Sequence, residues 1–209
     1  ERLLRKGVIQ QLHPHHFYCL YDSVCALHGL FVKLSENEAI CNAFMGSFEM
    51  AVEERTIFER FERECNRSFT MSEVSKYSLD NIKTNIFKRG FECELDELYD
   101  QSSAIVDSFK NKLSLVDEQW LKLDYNDRDG YFFTMTSKRW ALLKSKKHSL
   151  TIQLEPYGNA GNQCKLSNNT MKKQNQELRE IDLKAKQLSV EVYQTFVRSL
   201  MNEFGDCLF

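Results

Sequence analysis

Two stretches of apolar or small residues spaced three or four apart bracket a short block that holds most of the chain's turn residues. In the first, Glu94 to Leu121, the stripe runs Leu95, Leu98, Ser102, Ile105, Phe109, Leu113, Val116, Trp120 with no Gly or Pro between. In the second, Thr170 to Phe204, it runs Leu178, Ile181, Ala185, Leu188, Val192, Phe196, Leu200, Phe204. A heptad-like seam of this kind predicts a long helix, about seven turns in the first stretch. Each seam is too narrow to be stable alone in water, so two helices of similar length are expected to pack antiparallel, crossing at roughly 20°. Composition agrees: 209 residues carry only 8 Gly and 2 Pro, too few for the many turns of a sandwich or doubly wound sheet. With 42% apolar residues the chain is neither disordered nor collagenous.

The net charge of −2 hides an asymmetry. Residues 1–121 sum to −6, residues 122–169 to +4, and residues 170–209 to zero. The one basic block also holds Asp129-Gly130 and the run Pro156-Tyr157-Gly158-Asn159-Ala160-Gly161-Asn162, both turn signals. Within it, Lys122–Asp127 and Tyr131–Thr136 read as strands of a hairpin turning at Arg128-Asp129-Gly130, with Leu123, Tyr125, Phe133 and Met135 on one face. Ser137–Lys147 reads as a short helix capped by Ser137. Ser149–Glu155 reads as a strand with Leu150, Ile152 and Leu154 on one side, and Gln163–Ser167 as another. Asn168 or Asn169 is expected to cap the second long helix. The block is thus predicted as a small α+β insert of about four strands.

Residues 1–89 are helical in texture but less regular. His15–Leu34 and Glu36–Arg67 suggest two or three helices, with breaks near Ser35 and between Arg67 and Ser72. Gly90 suits a tight turn before the first long helix. No run of 18 apolar residues exists, and Glu1–Lys6 is too charged for a signal peptide, so no membrane partner is expected. The start at Glu1 suggests a segment of a longer chain. Seven scattered Cys with no C-x-x-C pair argue against a disulfide framework or zinc ribbon, and point to an intracellular, reducing compartment.

Three constellations could carry chemistry. Lys138, Arg139, Lys144, Lys146 and Lys147, with Lys165, Lys122 and Arg128, form an electrostatic footprint for phosphates, since each neutralised phosphate releases counterions whatever the base sequence. A solvated helix face has the same composition. Trp140 among them could stack on a base, but a helix aromatic packing onto its own sheet is the better reading. His13, His15 and His16 with Cys19, Cys25 and His28 include zinc-type ligands but lack paired ligand spacing, so no metal is expected. Glu53, Glu54, Glu59, Glu62 and Glu64 interleave with Arg55, Arg60, Arg63 and Arg67 as an exposed helix face would. Walker A, G-x-S-x-G and H-E-x-x-H motifs are missing, so no enzyme activity is expected of these residues.

Gly90-Phe91-Glu92-Cys93-Glu94-Leu95-Asp96-Glu97-Leu98 resembles the G-[YF]-[DN]-x-E-L-D-E-L signature of the MutS DNA mismatch-repair family. Farther on, Asp129-Gly130-Tyr131-Phe132-Phe133-Thr134-Met135-Thr136 resembles that family's G-Y-[YF]-[IL]-x-[VI]-T strand, and Lys165 to Glu177 resembles its F-T-[NS]-x-x-L-x-x-L-N-x-E start of a returning helix. The resemblance covers residues 86–204, more thinly 1–85. Thr136–Trp140 and the Asn-rich stretch Gly158–Asn169 resemble, weakly, the family's members from giant viruses and coral mitochondria.

The resemblance implies a mainly α fold: a helical core and descending lever helix over 1–121, an inserted clamp over 122–169, and a returning lever helix over 170–209. It implies a clamp that holds the backbone of double-stranded DNA, with Lys138, Arg139, Lys144, Lys146, Lys147 and Lys165 as phosphate contacts. It further implies a second MutS-like subunit as partner, and ATP with Mg bound elsewhere in the parent protein, since neither Walker motifs nor the mismatch-reading F-x-E occurs here. The bacterial R-R-Q-T-L-K-N run is replaced by Gly161-Asn162-Gln163-Cys164-Lys165, so bacterial contacts do not transfer one for one. The alternative is a helical-hairpin module whose basic tip binds protein or RNA.

Overall fold

The computed structural model describes residues 11–37, 39, 45–113 and 120–208. It is mainly helical with one small antiparallel sheet. The chain divides into two compact units, Glu1–Asp96 with Lys186–Phe209, and Glu97–Ala185.

In the first unit, Pro14 opens helix α1 (Pro14–Ser35), where its missing N–H costs no helical hydrogen bond and its fixed φ suits the first turn. Length and composition would let α1 cross a membrane, with mean hydropathy 1.2 over its most apolar window. Within the unit its Phe17, Leu20 and Val24 are buried, whereas Leu27 and Leu30 are about half exposed. Helix α2 (Met45–Ser68) packs against α1 and places Phe58, Phe61 and Cys65 in the core. The predicted start of this helix near Glu36 falls partly on residues outside those described, as does Cys41. The carboxylates of Glu59 and Glu62 face His28 of α1, at 3.6 and 3.0 Å, rather than only arginines of their own helix. Arg60 pairs with Glu203.

A short helix α3 (Met71–Val74) and a single 3-10 turn (Leu79–Asn81) follow. Phe69 then bridges Phe87 in a short antiparallel contact closed by Thr70 N–H to Ile86 O and Lys88 N–H to Ser68 O, each 2.9 Å. Phe69 is the hub of an aromatic cluster, with ring centres 5.5 Å from Phe17, 5.1 Å from Phe87 and 4.8 Å from Phe196. Offset and edge-on aromatic pairs at such distances add about 0.5–1.5 kcal/mol each beyond their buried area.

Helix α4 (Cys93–Lys110) begins in the G-F-x-C-E-L-D-E-L segment, and each conspicuous residue there has a job. Gly90 sits at φ +85. Its N–H is taken by the Asp96 carboxylate at 2.6 Å, which also accepts from Asn85. Phe91 stacks on Phe87 at 5.2 Å, and Leu95 is fully buried.

The helix is shorter than its sequence stripe suggests. It stops at Lys110 with a turn at 111–112, whereas the stripe continues to Trp120. Val116 lies outside the described residues, and Trp120 and Leu121 lead into a strand. The two long helices are therefore unequal, 18 residues against 40 in the last helix.

The second unit is built on four strands: β1 (Lys122–Asn126), β2 (Gly130–Thr136), β3 (Glu155–Ala160) and β4 (Gln163–Ser167), in the order β1-β2-β4-β3, all antiparallel. Two helices lie between β2 and β3, α5 (Ser137–Ser145) and α6 (Ser149–Gln153). Helix α7 (Asn169–Leu208) closes the chain, with Asn168 Oδ1 accepting from Met171 N–H at 2.8 Å as its cap.

Three local expectations are corrected. Thr136, not Ser137, caps α5, accepting from Arg139 N–H. Ser149–Glu155 is not a strand: Leu150 and Leu154 also satisfy a four-residue helical spacing, and His148 caps α6 by accepting from Leu150 N–H. The Pro156–Asn162 run is not a loop: Glu155–Ala160 takes the free edge of β4, with an irregularity between Pro156 and Gly158, and only Gly161-Asn162 turn.

The inner sheet face carries Phe133, Met135, Cys164 and Leu166. They pack with Phe109 of α4, Leu143 of α5, Leu150 of α6, and Met171 and Leu178 of α7. Trp140 is half-buried against this core, as expected of an aromatic resting on its own sheet.

Candidate nucleic-acid interface

The six cations expected to contact phosphate do not form one patch. Helix α5 lies on the inner face of the sheet, with Leu143 in the core, so its outward face presents Lys138 and Lys144 to solvent. Its carboxyl end presents Lys146 and Lys147. Among the described residues none of these four is in an ion pair. Leu142, 42% exposed, sits between them. Arg139 lies half-buried with its guanidinium 5.3 Å over Trp120.

Lys165 is elsewhere. Its strand neighbours Cys164 and Leu166 point into the core, so alternation along β4 sends Lys165 to the opposite face. There its ammonium lies 4.6 Å over Phe132 and 3.5 Å from Asp129. Asn126 and Lys165 together hold the Asp129 carboxyl below its ordinary range. Burial, with Asp129 nearby, pushes the Tyr157 phenol up to about 12. This outer face is a self-compensated mixture of charges, not a basic surface.

The turn after α5 explains how three lysines come together. Its geometry satisfies the last helical carbonyls through Lys147 N–H to Lys144 O and His148 N–H to Leu143 O, both 3.1 Å, the Schellman pattern. The pattern needs a left-handed residue after the cap, usually Gly. Here that residue is Lys147 at φ 51, the only described non-glycine with positive φ. A side chain in this conformation costs on the order of 1 kcal/mol. The lysines at the end of α5 also face its negative dipole end, which offsets part of their mutual repulsion.

The hairpin joining β1 and β2 is held from α7. Gly130, at φ +76, lets the backbone reach Asn175, whose amide accepts from Tyr131 N–H at 2.9 Å and donates to Tyr131 O at 2.8 Å. Arg179 donates to the carbonyls of Arg128 at 2.6 Å and Asp127 at 3.4 Å.

Beside this anchor lies a cleft of about 180 Å³ between the hairpin and helices α4 and α7, a feature that no motif in the sequence marks. One signal is present: Asn175 and Asp182, one heptad apart on α7, put polar groups beside an otherwise apolar seam.

Elsewhere, the described residues contain no group of three or more His, Cys, Asp or Glu arranged to hold a metal ion. His13, His15 and His16 cluster, with centroids 4.1 to 5.5 Å apart. They serve the turn after α3: His15 Nδ1 lies 3.0 Å from Tyr77 O, and Leu79 N–H donates to His13 Nδ1. Cys19, Cys25, Cys65, Cys93 and Cys164 are free thiols. Burial pushes the Cys25 and Cys65 thiols up, away from the reactive thiolate. No protein-family model matches this chain, and no curated protein matches it.

Proposed function

We propose that these residues are the core, lever and clamp segment of a MutS-like DNA mismatch-repair protein. In this reading residues 122–169 grip the backbone of double-stranded DNA without sequence preference. The flanking helices relay conformational change to an ATPase domain beyond this segment, which would bind the ATP and Mg. The segment itself would catalyse nothing, and a second MutS-like subunit would complete the grip.

The observation that carries the reading is the set Lys138, Lys144, Lys146 and Lys147, exposed together on α5 and its terminal turn. Ammonium groups free of carboxylate partners attract phosphates by releasing condensed counterions, and do so regardless of base sequence. Support also comes from the three resembling segments. Gly90, Phe91, Leu95 and Asp96 build the start of α4, and Gly130 with Tyr131 meets Asn175, the Asn of the returning-helix motif. The second reading, a protein- or RNA-binding module, is favoured by Leu142, an apolar side chain exposed amid the lysines.

Replacing Lys138, Lys144, Lys146 and Lys147 by Glu and measuring duplex affinity against salt tests the proposal. A backbone grip predicts weaker binding and a salt slope shallower by about 0.9 for each phosphate that is no longer neutralised. An unchanged slope, or a marked preference for one duplex sequence, overturns it. Tighter binding to RNA hairpins than to duplex DNA supports the second reading.

A further inference from the structure

The cleft beside Asn175 is lined by Ser102 and Val106 of α4, Tyr125 of β1, Tyr131 of β2, and Leu178 and Asp182 of α7. Two of its polar lining side chains have a structural duty. Asn175 is spent on the Tyr131 backbone, and Arg179 is turned toward the carbonyls of residues 127 and 128. Asp182 is not so engaged. Among the described residues it is in no ion pair, and partial burial pushes its carboxyl up. It shares the cleft with Tyr125 and Tyr131, whose rings are 5.0 Å apart and tilted by 58°, with the aliphatic Val106 and Leu178, and with Ser102.

A carboxylate, a pair of tyrosines and aliphatic side chains lining one small cleft are together the recognition chemistry of an organic cation. The volume is below the roughly 300–1,000 Å³ of sites for drug-sized ligands, so the occupant is the size of one side chain. We propose that this cleft binds an alkylammonium group, with Asp182 as counter-ion and Tyr125 and Tyr131 as the aromatic wall. The ammonium could be carried by a free amine or by the lysine of a partner segment, and both present the same chemistry. Nothing in the proposal depends on the lysines of α5.

The test is an NMR titration of the full chain at constant ionic strength, following the Tyr125 and Tyr131 ring resonances. The probes are n-butylammonium, n-butanol, and the peptide acetyl-Gly-Lys-Gly-amide. Butylammonium is expected to bind at least about tenfold more tightly than butanol, the scale of one partly desolvated charge and cation–π contact. Asp182→Asn should erase that difference while leaving the thermal melt unchanged, and Tyr125→Leu should weaken the amine without touching the charge. K146E and K147E should leave amine binding as it was even if they abolish duplex binding. Stronger binding by the peptide assigns the site to a basic partner segment, and stronger binding by the free amine to a small ligand. Equal binding of butanol and butylammonium, an unaffected D182N, or the absence of ring shifts overturns the proposal.

Discussion

Asn175, on the last helix, makes both hydrogen bonds of a strand partner to the backbone of Tyr131, accepting from its N–H and donating to its carbonyl. A Cβ on Gly130 would lie 2.7 Å from the Asn175 side chain, so the glycine is required by both its positive φ and this close approach. The helix and the hairpin are thereby locked in register.

Gly130→Ala is expected to destabilise the protein by about 2 kcal/mol or more, through the left-handed backbone and the clash together. Asn175→Ala should cost about 1–3 kcal/mol by stranding the Tyr131 amide and carbonyl. Because removing Asn175 also removes the clash, the double variant should lose less than the sum of the two. Urea denaturation of the four proteins measures the coupling, and strict additivity would show that the two residues do not share one interaction.

Lys147→Gly should have opposite effects on folding and binding. Releasing the side chain from φ 51 is expected to raise stability by about 1 kcal/mol. The loss of one exposed ammonium should weaken duplex binding and reduce the salt slope by about 0.9 if this residue contacts phosphate. Thermal melts and anisotropy titrations of the same preparation separate the two.

Lys165→Glu tests the division between the two sheet faces. Since Lys165 lies across the sheet from α5 and beside Asp129, its reversal should change duplex affinity far less than Lys146→Glu does. Comparable losses would mean that both faces meet the ligand.

Alkaline titration should resolve phenols that ionise above the ordinary range, Tyr21 and Tyr157 before the more deeply buried Tyr193. Burial pushes both Tyr21 and Tyr157 up to about 12, from an ordinary 10.0. A phenol whose folded value exceeds its unfolded one contributes stability fully below pH 10, and that contribution is lost as pH rises toward 12. Stability should therefore fall between those limits, less steeply in Tyr21→Phe and Tyr157→Phe. Absorbance of phenolate against pH, with denaturation at each pH, checks this; equal slopes in wild type and both variants would contradict it.

What the sequence by itself determined was whatever a few neighbouring residues decide: helices where apolar residues recur at three and four, the Gly130 hairpin, and an asparagine cap at 168 or 169. It also located the basic block. The remainder depended on contacts between distant residues. Leu150 and Leu154 satisfy strand and helix spacing alike, and helix prevailed because His148 caps that segment while Glu155–Ala160 takes the open edge of β4. The stripe through Leu113 and Trp120 ran past the end of its helix, because Trp120 is needed beside Arg139 and Leu121 in the core of the sheet. Lys165 is indistinguishable from the other lysines in composition, yet strand alternation turns it to the far face, onto Phe132. Asp182 looks like an ordinary surface acid of a long helix until the fold brings it to the same cleft as two tyrosines. Periodicity and capping act within a turn or two of chain, whereas sheet edges, opposite faces and shared clefts exist only once segments far apart in sequence have packed together.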